Sequence, residues 1–265
     1  MSTAGELRDN VVSSLLVSPH FTIRTAMPFL LAALADAHGF REAALGELGS
    51  AYSAGSLLAA VLAVLFADWR LRLPVLLGVL VGSAGLVCVV TGHGYAAVFT
   101  ECLLAGVGYG AMYSWMLSAL AAAVNPARTL AWQWSIGTLP GLSFLMAIPA
   151  FGGGVAGMRV TFLAILSVNL LAGLSALTLP VRLELRRKPE HEAASGRGYA
   201  RGVALAALSL FALYAGCTGG WSLLARVAAA DGLAPSVAGL ALSLATGASC
   251  VVALLIARFG GVGRA

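Results

Sequence analysis

From Leu45 the chain reads LGELGSAYSAGSLLAAVLAVLFAD, then WRLRLP, then VLLGVLVGSAGLV. Two apolar runs, each about the length that crosses a bilayer as a helix, are joined by a turn of a few residues carrying Asp68, Arg70, Arg72 and Pro74. Neither run has the polar face that a helix on a soluble protein needs. An adjacent pair of helices apolar on every side has no place in an aqueous fold. The whole chain agrees: 60% of its residues are hydrophobic and 10% charged, against roughly 45–50% and 25% in soluble domains. The sequence therefore reads as an all-α integral membrane protein with many spans.

Several function classes fall away on the same grounds. A net charge of +5 would suggest nucleic acid in a soluble chain; here the excess sits in loops, where it orients the protein, and no nucleic-acid partner is expected. Cys88, Cys102, Cys217 and Cys250 lie inside apolar runs without CxxC or Cys/His spacing, so they read as small buried hydrophobes. No metal, cofactor or catalytic cluster is legible, and an enzyme is not expected. Glu6, Arg8 and Asp9 precede a long first span with no small-residue cleavage pattern.

Apolar runs and their breaks give eight spans, at about 11–35, 43–66, 74–90, 95–124, 130–151, 159–179, 202–224 and 235–257. The one long polar segment, VRLELRRKPEHEAASGRGYAR, falls between the sixth and seventh, with Arg186, Arg187 and Lys188 adjacent beside the membrane. With a cytoplasmic N-terminus, twelve of the sixteen Lys and Arg residues lie on the cytoplasmic side. Arg41, Arg159 and Arg226 lie opposite, and Arg24 falls inside the membrane. That bias sets the orientation. The loop around Gly152–Gly157 is then outside, and the expected location is a cell membrane.

Ionisable residues within spans are costly and are functional candidates by default. Arg24 lies near the middle of the first span, with His20 one turn before it on the same face. Arg24 either faces a solute cavity, which suggests an anionic or carboxylate-bearing solute, or ties the bundle to a carbonyl or carboxylate. Glu101 is the other candidate, either a protonatable coupling residue or a solvated carboxylate in an outer vestibule. At about 1.5 Å per residue, Glu101 lies roughly 9 Å below the outer end of its helix and Arg24 nearer 16 Å below its own. A direct pair would need both side chains stretched. Tyr109 falls at about Arg24's depth and shares a face with Glu101, Met112 and Tyr113; Tyr214, Thr218 and Trp221 form a stripe on the seventh span. Both sets are candidates for solute contact or for packing. Trp132 and Trp134 read as interfacial belt anchors, and His38, His93 and His191 as solvated loop residues.

Six spans, a long basic loop and further spans resemble the plan of the major facilitator superfamily. The turn ADWRLR is similar to that family's loop between its second and third helices, roughly G-x-L-a-D-R-x-G-R-R, with Asp68 and Arg72 on its Asp and one of its arginines. LLAGVGYGAMYSW resembles its fourth helix, R-x-x-x-G-x-G-x-G; Gly106, Gly108 and Gly110 match, and Cys102 stands at the arginine. The resemblance implies a six-helix bundle over 1–181, a basic cytoplasmic loop over 182–201, and over 202–265 the first two helices of a second bundle. The family has twelve helices, so helices nine to twelve are expected to be missing, and the chain alone to bind solute weakly without transporting it. Also implied are cavity-lining first, fourth and seventh helices and a gate at Asp68 and Arg72. The implied function is secondary transport of a small solute by alternating access, coupled to an ion, most simply the proton. A non-transporting membrane remnant and a drug or metabolite efflux protein are the alternatives.

Overall fold

A computed structural model of the chain describes residues 4–66, 72–91, 94–121, 126–151, 154–178, 205, 209 and 219–259. The described residues are helical apart from short turns. In chain order the elements are α1 (Ala4–His38), α2 (Glu42–Leu65), α3 (Arg72–Thr91), α4 (Tyr95–Ala121), α5 (Pro126–Ala147) with a 3-10 turn (Ile148–Phe151), and α6 (Gly154–Ala176). The helical stretch 219–230, α7, and α8 (Pro235–Phe259) complete them. Seven of these helices are long and apolar enough to cross a membrane. The protein is a multi-pass helical membrane protein; the basic loop and the domain boundary drawn at 182–201 lie outside the described residues.

The elements differ from expectation mainly at their ends. Helix α1 starts before Val11 and runs to His38, straight through Pro19 and Pro28. Proline removes the amide that would reach the carbonyl four residues back. The Ser18 hydroxyl takes up the carbonyl of Leu15, at 2.7 Å, which Pro19 leaves open. Helix α6 begins at Gly154, ahead of the expected start near Arg159. A glycine costs a helix only about 1 kcal/mol, less than an unsatisfied backbone group in lipid. Arg159 is therefore a helical residue, and of the expected Gly152–Gly157 loop residues 154–157 are helical while 152 and 153 lie outside the described residues.

Helix α7 likewise passes Leu224 and carries Arg226 within it. It ends where Gly232 takes φ +75°, a conformation glycine adopts without strain; the Leu233 amide bonds back to the Ala228 carbonyl at 2.9 Å. His38, expected in a solvated loop, closes α1. It is half-buried, its ring stacked on Phe40 with centroids 5.1 Å apart.

Contacts between helices obey one direction rule. Gly137 and Gly141 of α5 face Ser14–Phe21 and Thr22–Thr25 of α1, so these two run parallel. Gly239 of α8 meets the Leu145 carbonyl and Ser135 reaches the Cys250 carbonyl, so α8 and α5 run antiparallel. Trp221 meets Thr25 and Arg226 meets Asp36, so α7 runs with α1. Odd-numbered helices thus share one direction and even-numbered ones the other, as successive membrane crossings require.

Helix α4 is wedged between α2 and α3. Gly106 and Gly110 sit against the backbone of Tyr52 and Ser56 on α2, and Gly108 sits against Gly82 on α3. A Cβ on Gly110 would come 2.5 Å from the Ser56 Cα, and one on Gly85 would come 2.7 Å from the Ala105 amide. Without a hydrophobic force between helices in lipid, such backbone approach is what holds them. Ser56 donates across the seam to the Gly106 carbonyl at 3.1 Å. The α3–α6 seam is held differently: buried Asn169 donates to the Val79 carbonyl at 3.2 Å and to Ser83 at 2.6 Å. Helix α1 is the axis of the molecule. Over an 18-residue stretch of its span 78% of residues are buried, against 33–44% over such stretches in the other six.

Candidate functional site

The site follows from where α1 puts its charge. The membrane-length part of α1 is Val11–His38, so Arg24 stands thirteen residues from one end (24 − 11) and fourteen from the other (38 − 24). At 1.5 Å per residue that is about 20 Å from either end, too deep to snorkel to water at an interface. Arg24, Phe21 and Thr25 form one wall of a cavity of about 240 Å³. Helix α5 supplies Trp134 and Thr138, α7 supplies Trp221, and α8 supplies Ala245, Thr246 and Ser249.

Local bonds fix how these side chains present themselves. The Trp221 indole N–H donates to the Thr25 carbonyl at 3.1 Å, which docks α7 on α1 and turns the ring, not the donor, to the cavity. The Trp134 ring meets the Phe21 ring edge-on, centroids 5.1 Å apart. Thr138 donates into its own helix, to the Trp134 carbonyl, and Ser249 donates to the Thr246 carbonyl at 2.7 Å. Such back-bonding is the usual resting place of hydroxyls on apolar helices. Arg24 is the one charged residue among the described lining.

The expected solute contacts divide three ways. Arg24 and Trp221 share the cavity. His20 and Tyr113 stand behind its wall: their rings stack at 4.6 Å with an interplanar angle of 1°, and Tyr113 meets Phe21 edge-on at 5.5 Å. His20 is buried, with Tyr52 stacked beyond it at 6.5 Å. Tyr109 is at Arg24's depth yet faces away from the cavity. It is wholly buried, and its ring lies on α3 at Gly82, where a Cβ would be 3.1 Å from it. Tyr214 and Thr218 lie outside the described residues.

Helix α4 gives the cavity no lining residue among those described. Glu101 is half-buried there; its Oε2 is enclosed without a hydrogen-bond partner among the described residues. It makes no ion pair with Arg24. Because α1 continues to His38, the depth difference between the two grows to about 12 Å. Of the expected gate, Asp68 lies outside the described residues and Arg72 opens α3, half-buried. An ion pair does form at the other end of the molecule, between Asp36 of α1 and Arg226 of α7, at 3.3 Å.

Trp134, expected as a belt anchor, is instead a cavity residue; the hydrophobic pattern of α5 marks it as interfacial, and only the packing of α5 against α1 turns it inward. Thr25, Thr138, Thr246 and Ser249 were not singled out from the sequence. Small hydroxyl residues are common in membrane helices, and nothing in the spacing of these four distinguishes them. Neither a comparison with protein-family models nor one with curated proteins finds a match.

Proposed function

We propose that the protein is a secondary active transporter of the major facilitator type, moving a small anionic solute across the cell membrane by alternating access, coupled to protons. The observation that carries the reading is the cavity itself. It holds a guanidinium at mid-membrane depth and is walled by α1 and α5 on one side and by α7 and α8 on the other. In a transporter built of two bundles, solute binds near the midplane where the bundles meet. On this reading α1–α6 form the first bundle and α7 and α8 belong to the second.

Charge at that depth costs at least about 2.5–3.5 kcal/mol on insertion scales, an expense that a binding role explains. Proton coupling is supported by two ionisable residues within the spans, the buried His20 on α1 and the half-buried Glu101 on α4. The excess of Lys and Arg in the loops assigned to one face supports a cytoplasmic N-terminus.

Uptake into proteoliposomes containing the full-length protein tests the reading, with anionic, neutral and cationic solutes offered under an imposed pH gradient. Gradient-driven accumulation of an anion, abolished by a protonophore, is the expected result. A folded, reconstituted protein that moves no solute in either direction would end the proposal.

A further inference from the structure

The cavity's chemistry goes further than "anionic". We infer that its ligand is a small monocarboxylate with a flat, apolar body, the carboxylate on Arg24 and the body against the indoles of Trp134 and Trp221. The inference rests on the transporter reading only for its physiological meaning; the binding site stands on its own geometry.

Four observations converge. The first is the donor inventory. Trp221 spends its indole N–H on the Thr25 carbonyl, while Thr138 and Ser249 spend their protons on carbonyls of their own helices. Those groups face the cavity with ring carbon or oxygen lone pairs, neither of which stabilises an anion. The guanidinium is the cationic donor among the described lining, and its planar fork matches a carboxylate.

The second is the number of charges. One guanidinium neutralises one carboxylate; a second anionic group would find no second cation among the described lining, and a desolvated unpaired charge is costly. The third is the wall. Phe21, Trp134 and Trp221 are aromatic and Ala245 is apolar, and edge-on or stacked rings hold a planar body best. The fourth is size. A cavity of about 240 Å³ has room for one ring with its carboxylate.

Equilibrium binding to the purified full-length protein decides the matter with four probes. Benzoate has both features; benzamide keeps the shape without the charge; acetate keeps the charge without the body; terephthalate adds a second carboxylate at the far end. Benzoate is expected to bind saturably, and each of the others about tenfold or more weakly, the loss of one charged hydrogen bond or its equivalent. Arg24→Lys should weaken benzoate about tenfold, because a point charge replaces the fork. Trp134→Leu should weaken benzoate several-fold and leave acetate unchanged; Trp221→Phe, which keeps a ring, should do less.

Equal affinity for benzamide and benzoate overturns the charge assignment. Equal affinity for acetate overturns the body, and equal affinity for terephthalate overturns the single charge. Saturation by none of the four probes overturns the whole. A parallel uptake assay separates the two readings. Proton-driven uptake of a neutral or cationic solute without benzoate binding leaves a transporter and removes this ligand. Tight benzoate binding without uptake of any solute leaves the site and removes the transporter.

Discussion

The two halves of this helix bundle differ in how completely they close. In the α2–α4–α3 seam, glycines bring backbone onto backbone, and the seam is closed. In the α1–α5–α7–α8 seam, Gly137, Gly141 and Gly239 also bring helices close, but around Arg24 rings and hydroxyls keep them apart, and a cavity of about 240 Å³ remains. In water both arrangements would be judged by apolar area buried. In lipid that term vanishes between helices, leaving close packing and polar contacts, so the seam without side chains is the tighter one. On the transporter reading the difference is a division of labour: one seam fixes the first bundle, and α7 and α8 bind solute against α1 and α5 and can part from them.

The largest expected effects fall on the tight seam. A Cβ on Gly108 would come 2.5 Å from the Gly82 Cα, and one on Gly106 would strike the Tyr52 backbone. Neither neighbour is a flexible side chain that can yield. Gly106→Leu and Gly108→Leu should cost on the order of 3 kcal/mol or more, beyond ordinary overpacking, and should remove folded protein from detergent extracts. Gly247→Ala on α8, where nothing lies within 4 Å, should leave the melting temperature within a degree or two of the parent. Equal damage from all three would mean that the seams do not differ.

The loose seam should give the reverse pattern. Arg24→Ala is expected to abolish anion binding while the detergent-solubilised protein melts near the parent temperature, since the side chain lines a cavity instead of filling a packed interface. If Arg24 is instead a structural tie, Arg24→Ala will lower the melting temperature and binding will follow stability. Melting curves of Arg24→Ala and Arg24→Lys, each with and without benzoate, distinguish the two. A stable Arg24→Ala protein with unchanged affinity would remove the cavity from the function altogether.

What could be read in advance follows the same division. The close-packed seam was legible because its cause is a sequence pattern: Gly106, Gly108 and Gly110 recur at a spacing that presents small residues to two neighbours. Arg24 was legible because charge in an apolar span has few explanations. The cavity's remaining wall was not. Tyr109 shares Arg24's depth, and depth follows from counting along a helix. Which way it faces depends on how α4 is rotated, and that is set by the glycines clamping it to α2 and α3. Trp134 fails for the same reason in reverse: it sits where belt anchors sit, and the packing of Gly137 and Gly141 on α1 turns it inward. Helix ends slipped by a few residues: at Arg159 the backbone stays helical through Gly154 and Gly157, which would favour a helix end in water, and at Arg226 the helix runs on through an alanine-rich stretch to the turn at Gly232.

Glu101 tests whether coupling and binding reside in different seams. It lies on α4, in the tight half, and contributes nothing to the described cavity lining. Glu101→Gln should therefore leave benzoate affinity within about twofold of the parent, while reducing proton-driven accumulation tenfold or more if the carboxyl carries the proton. Binding and downhill exchange measured beside uphill uptake make the separation visible. A Glu101→Gln protein that loses affinity would place the residue in the binding seam, against the division drawn above.

The smallest effect belongs to the ion pair at the end of the loose seam. Asp36 and Arg226 meet at 3.3 Å, but their side chains keep 50% and 29% of their exposure. Water and salt screen such a pair, so its coupling is expected at about 0.2–1 kcal/mol, weaker again at high ionic strength. A double-mutant cycle with Asp36→Asn, Arg226→Gln and the double variant, read by thermal melting at low and high salt, measures it. A value in that range fits a seam that opens easily, with Trp221 on Thr25 as the firmer attachment of α7 to α1. Coupling above about 2 kcal/mol that survives salt would mean the pair is desolvated in the working protein. The loose seam would then be locked at its end, and alternating access would require breaking that lock first.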